Sequence, residues 1–167
     1  FTGDTVFLKE IAYPLIKGSA QFNIGLLRKN ENGFLESLYG SSTELTFIDE
    51  KARTCGVSPG PAGHLAMVRE IVTRTLEAAQ ILNTDPDLQS ELKALLPKLQ
   101  PFRITSTGLI MEWNKDFKES DPQHRHLTHL YGLHPGNQIN PFETPELFEA
   151  ARNSLLRRGD KATGWSM

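Results

Sequence analysis

Three histidines and one arginine fall within six residues, His124-Arg125-His126-Leu127-Thr128-His129. An arginine offers a rigid fork of donors, and a neutral imidazole offers one donor and one acceptor. Vicinal sugar hydroxyls need paired donors and acceptors of this kind, so the cluster reads as a sugar- or anion-binding edge. His-x-His is also a usable zinc spacing, but no carboxylate or further histidine stands at a familiar ligand spacing, and no metal is expected. A loop of solvated histidines is the third reading. A second cluster is Ile110-Met111-Glu112-Trp113-Asn114-Lys115-Asp116. Glu112 and Trp113 there form either a pocket wall, with the indole face against a sugar, or a buried tryptophan beside a salt-bridged glutamate. The third is Ser41-Ser42-Thr43-Glu44. A carboxyl on a semi-rigid loop can be a general acid, although one loop glutamate among many says little by itself.

Helices are the elements expected to position these groups. Asp4 reads as an N-cap, followed by Phe7, Leu8, Ile11 and Leu15 at helical spacing, with a kink or break expected at Pro14. Residues 18–27 read as a second short helix. The clearest element has Leu65, Val68, Val72, Leu76 and Ala79 on one face. Asp85-Pro86 reads as a cap followed by proline at the first helical position, with Leu88, Leu92, Leu95 and Leu99 behind it and Pro97 bending the end. A short helix is expected within 124–133. Thr144-Pro145-Glu146 starts a last helix, which Arg157-Arg158 and Gly159 close. Residues 28–62 have no sustained period and read as a long functional loop. The expected class is all-α, antiparallel helices with two long polar loops, which suits an α/α toroid or a solenoid.

The bulk properties exclude several classes. With 38% hydrophobic and 23% charged residues the chain is ordinary for a globular protein. A net charge of −2 gives no general pull toward nucleic acid. No apolar run is long enough to span a bilayer. The single cysteine, Cys55, excludes a disulfide framework within the chain and leaves the compartment open. Both ends, Phe1 and Gly164-Trp165-Ser166-Met167, read as cut, so residues 1–167 are taken as a single fragment, either a mature or expressed piece or part of a fold that other chain segments finish.

An ordered set of motifs then covers about a third of the chain: Gly108-Leu109-Ile110-Met111-Glu112-Trp113, Asp116-Phe117, His124 through Gly136, Thr144-Pro145-Glu146-Leu147, and Arg158-Gly159-Asp160 leading to Thr163-Gly164-Trp165-Ser166. In this order they resemble glycoside hydrolase family 95, the inverting α-L-fucosidases. The opening through Ala12-Tyr13-Pro14-Leu15 is similar to the preceding helix of that family. The resemblance implies an (α/α)6 toroid, here incomplete. It implies a general acid after a Gly-aromatic-Leu-Glu segment, which maps from Gly33-Phe34-Leu35-Glu36 onto Glu44. Thr43 and Leu45 stand where the family usually has Pro and Asn, and His64 where it tends to have Asp.

The family's fucose-contacting Arg-His pair maps onto Arg125 and His126, and His124, Glu112 and Trp113 are motif positions grouped with them as substrate-binding candidates. An inverting enzyme also activates a water across the ring. The family's asparagine and aspartate for that step map outside this chain. The resemblance thus implies an enzyme acting on fucosylated glycans with no cofactor, completed by the remainder of its own catalytic domain. Related enzymes are often exported, which leans the compartment toward extracellular or periplasmic. An L-galactosidase specificity, a noncatalytic sugar-binding remnant and a helical interaction module are the alternatives.

Overall fold

The computed structural model describes residues 3–160. They fall into two compact units. One joins the chain up to Glu36 with Met67–Gln100, and the other joins Ser37–Ala66 with the chain from Pro101 onward.

In the first unit the opening helix is α1 (Thr5–Phe7), a π-helical turn (Leu8–Ala12) and α2 (Tyr13–Gly25). Asp4 caps it, accepting from the Phe7 N–H at 2.9 Å. Of the kink or break expected at Pro14, the break does not occur, and the irregularity takes the form of the π-helical turn just before it. Tyr13 N–H reaches back five residues to the Leu8 carbonyl, and such a widened turn takes in a proline that an α-helical turn would reject. The helix therefore runs through residues 18–25 without a second start. Val6, Phe7, Ile11, Leu15 and Phe22 stay exposed along it. β1 (Leu27–Lys29) pairs with β2 (Leu35–Ser37), and Glu36 is buried there beside Arg28 and Asn30.

Helices α3 (Ala62–Ile81) and α4 (Pro86–Leu95) follow, the latter ending in a 3-10 turn at Leu96–Lys98. The expected stripe is the core: Val68, Val72 and Leu76 pack with Leu92, Leu95 and Leu99. Asp85 stands at the N-cap of α4 with Pro86 at the helix start, as expected, but its side chain makes no capping bond. Its backbone is left-handed at φ 51, and its carboxylate instead accepts from Tyr13 Oη at 2.6 Å and Lys17 Nζ at 2.7 Å.

The second unit carries short strands where a loop was expected. β3 (Tyr39–Gly40) pairs antiparallel with β6 (Ser58–Pro59). β4 (Phe47–Ile48) lies between β5 (Thr54–Cys55) and β7 (Lys118–Glu119), antiparallel to both. A 3-10 turn (Thr128–Leu130) stands where a short helix was expected, and α5 (Pro145–Arg158) follows. Gly159 N–H bonds to the Leu155 carbonyl at the end of α5. One apolar cluster joins Ile110, Leu130, Ile139, Ala150 and Ala151, and another joins Leu45, Phe47 and Trp113.

The all-α toroid is thereby corrected to a mixed arrangement of helices and small antiparallel sheets. Strands of two or three residues are too short to write an alternating pattern into a sequence. They form because the backbone donors of a packed connection need partners and find them in neighbouring connections.

Candidate active site

Glu44 sits on a tight turn. Leu45 N–H donates to the Ser42 carbonyl at 2.8 Å, leaving Thr43 and Glu44 as the central residues. Glu44 takes φ 58, the left-handed region. A side chain is disfavoured at that turn position and glycine or asparagine is the relaxed choice, so a glutamate there is held by its surroundings. Leu45 supplies part of the hold. It is buried with Phe47 and Trp113, and Phe47 stacks on Phe117 with ring centroids 4.3 Å apart. The carboxylate itself points outward, 57% exposed.

The histidine cluster arrives from 81 residues further along the chain. Arg125 Nη2 donates to Glu44 Oε2. His126 Nε2 lies 3.2 Å from the same oxygen. His124 stands behind them, its ring centroid 5.3 Å from that of His126. Its Nδ1 accepts from the His126 backbone N–H at 3.2 Å, which puts the remaining proton on Nε2. Burial, then the neighbouring His126, pushes the His124 pKa down, and a neutral ring keeps one donor for a ligand. The segment is anchored to the start of α3: a Cβ at Gly63 would meet the Thr128 carbonyl oxygen at 2.6 Å, so only glycine fits that approach.

A second carboxylate lies out of water. Glu112 is 7% exposed. Its Oε1 accepts from Ser42 Oγ at 2.5 Å and lies 3.4 Å from His129 Nδ1, while its Oε2 accepts from Arg158 Nη2 at 2.9 Å. Burial works to raise its pKa, but His129, Ser42 and Arg158 outweigh it and the net direction is downward. Arg158 also donates Nη1 to the Asp121 carbonyl at 3.1 Å, with Glu119 Oε1 3.1 Å away. A cavity of about 550 Å³ lies beside this group, lined by residues that include Trp113, Asp116, Ser154 and Arg157. Its described lining does not include Glu44, Arg125 or His126.

A loop carboxylate beside an arginine and a histidine is an arrangement that can move a proton at a leaving group while its neighbours meet polar groups of a ligand. The model of the glycosyl hydrolase family 95 catalytic domain matches residues 1–167. The chain belongs to glycosyl hydrolase family 95. It is 35% identical to Alpha-L-fucosidase 2 of Arabidopsis thaliana, over 99% of this chain and 20% of that protein. It is 27% identical to Probable alpha-fucosidase A of Aspergillus niger, over 99% of this chain and 22% of that protein. The chain thus spans about a fifth of the length of these curated relatives.

Within this family 95 chain, the structure brings together Glu44, Arg125 and His126, with His124 behind them. Trp113 and Glu112 are both buried, the tryptophan against Phe47. His64 is exposed near the α3 start, packed over Gly40. The Thr163-Gly164-Trp165-Ser166 motif lies outside the described residues. Among the described residues no group of three or more histidines, cysteines or carboxylates is gathered closely enough to hold a metal, and no helix is long and apolar enough to cross a membrane. Sequence reasoning passed over the roles of Ser42, His129 and Arg158. Arg158 was read as a helix-end cation, and its position in an ordered motif was the signal that it serves another group as well.

Proposed function

We propose that this chain carries the proton-donating loop and part of the sugar-binding edge of an α-L-fucosidase that cleaves terminal α-L-fucosides with inversion. The observation that carries the reading is the meeting of Glu44 with Arg125 and His126 across 81 residues of sequence. Those are the three positions that the family resemblance singles out. In this mechanism the empty site holds Arg125 and His126 on the Glu44 carboxylate. A fucoside offers its hydroxyls to both and frees Glu44 from them; Glu44, out of the ion pair, takes up a proton from solvent and passes it to the glycosidic oxygen as the bond from that oxygen to the fucose C1 breaks. His124 adds a neutral donor beside them. A water activated by segments outside this chain attacks from the opposite face, the remainder of the catalytic domain supplying that half of the chemistry. No cofactor enters the scheme.

The test is fucose release from 2′-fucosyllactose by the intact catalytic domain, with and without Glu44→Gln, and proton NMR of the first-formed anomer. Release of β-L-fucose that collapses in the variant supports the reading, whereas an unchanged rate removes Glu44 from the role. A noncatalytic sugar-binding protein is the second reading. The departures at Thr43 and Leu45 favour it, and it predicts binding of the same trisaccharide without turnover. Comparing aryl α-L-fucoside with aryl α-L-galactoside separates the two sugar specificities, which differ by one hydroxyl.

A further inference from the structure

Glu112 is 7% exposed and each of its oxygens already accepts from a protein donor. Its partners come from separate stretches of the chain, and each borders a piece of the site. Ser42 opens the turn that presents Glu44. His129 stands three residues after His126, on the 3-10 turn that closes the sugar-binding segment. Arg158 holds Glu112 with one amino group and the Asp121 carbonyl with the other, four residues before Arg125. The Glu112 backbone joins in, its carbonyl accepting from Ala62 N–H at 2.9 Å at the start of α3. One carboxylate is therefore tied to the beginning of the acid loop and to both ends of the segment facing it. Out of water the Ser42 and Arg158 hydrogen bonds are strong and directional, and His129 Nδ1 adds a 3.4 Å approach without a hydrogen bond, whereas the Glu44 contact with Arg125 is open to solvent.

We propose that Glu112 is a positioning residue. Through Ser42 it sets the Glu44 loop, and through His129 and Arg158 it sets the Arg125–His126 segment, so that the proton donor and the sugar clamp keep one mutual geometry when substrate parts them. The proposal rests on Glu44 being the proton donor.

The test compares two substrates in the intact catalytic domain. 2′-Fucosyllactose has a poor leaving group and needs the acid, whereas an aryl fucoside with a nitrophenolate leaving group does not. A loop displaced by about an ångström costs on the order of 10²-fold. Ser42→Ala and Glu112→Gln are therefore expected to lower kcat on 2′-fucosyllactose by roughly 10–100-fold. For Ser42→Ala, which touches the acid loop alone, the loss on the aryl fucoside is expected to stay within about threefold, because the acid contributes little there, whereas Glu112→Gln also raises KM on both substrates through the sugar clamp. Ser42→Ala added to Glu44→Gln is expected to cost nothing more on 2′-fucosyllactose, the signature of two residues acting through one group.

In Ser42→Ala, a proportional loss on both substrates, no loss, or a full multiplication of the Glu44→Gln defect overturns the positioning role. If Glu44→Gln itself slows both substrates equally, the proton-donor reading fails first and takes this proposal with it. Should Glu112→Gln not fold, Ser42→Ala, a single hydroxyl deletion, decides alone.

Discussion

Glu44 and Glu112 each meet one arginine and one histidine, and the two histidines are three residues apart in the chain. One assembly stands in water, with 57% of the Glu44 side chain exposed, and the other is sealed, with 7% of Glu112 and 4% of Arg158 exposed. The same three residue types therefore have different uses. An exposed pair contributes about 0–1 kcal/mol, so a ligand can take Arg125 from Glu44 at little cost. Removing one member of a buried pair costs about 3–5 kcal/mol, so Arg158 stays with Glu112 whatever binds nearby. A site that must exchange partners sits beside one that must not.

The largest test of this contrast is kinetic. Glu44→Gln is expected to lower kcat on 2′-fucosyllactose by roughly 10²–10⁴-fold, with an unchanged melting temperature in calorimetry. Glu112→Ala is the thermodynamic mirror. It is expected to destabilise by about 3–5 kcal/mol in urea unfolding, because Arg158 is left buried and uncompensated.

That second effect also depends on pH. The folded-state pKa of Glu112 lies below its ordinary 4.5, so its contribution is complete above that value and is lost as pH falls through the folded value. The gap between wild type and Glu112→Gln is therefore expected to be widest near neutrality and to close in acid. A gap that persists at pH 2 would show that packing, not charge, is what the side chain supplies.

Arg125→Ala is expected to raise KM about tenfold, the worth of roughly 1.4 kcal/mol of sugar contact, while moving stability by less than about 1 kcal/mol. If it destabilises as much as Glu112→Ala, the distinction between exchangeable and fixed pairs is wrong. The smallest effect belongs to Glu44→Gly. Glycine relieves the left-handed backbone but loosens the unfolded chain, terms of about 1 kcal/mol each. Urea unfolding is expected to give a net change within about 1 kcal/mol, with activity lost as in Glu44→Gln.

Much of the helical part was legible because α3 and α4 bury one continuous stripe, and a stripe of that length leaves a 3.6-residue period in the sequence. β3 to β7 left none, since a two-residue strand has no period to display. Asp85 holds the cap position that the sequence marked, but capping residues and ion-pair residues are the same types, and only the fold says that its carboxylate turns to Tyr13 and Lys17. In the site, residue chemistry alone favoured the 124–129 cluster as a ligand edge, but it left Glu44 one weak candidate until the family motifs singled it out. Nothing local separates it from other loop glutamates, because its meaning comes from residues 81 positions away. Trp113 and Glu112 stood open between wall and core from sequence, and burial by Phe47 and Arg158 is a tertiary fact.

The clasp of Tyr13 and Lys17 on Asp85 has a consequence in alkali. Burial, and then Asp85, hold the Tyr13 proton well above the ordinary phenol value of 10.0. Above that pH the unfolded chain releases a proton that the folded chain keeps, so stability declines as pH climbs. In a stopped-flow jump to strong base, with Tyr39 and Tyr131 replaced by phenylalanine, phenolate absorbance would rise in step with the loss of helical circular dichroism, making this one hydroxyl a built-in reporter of when the first unit opens.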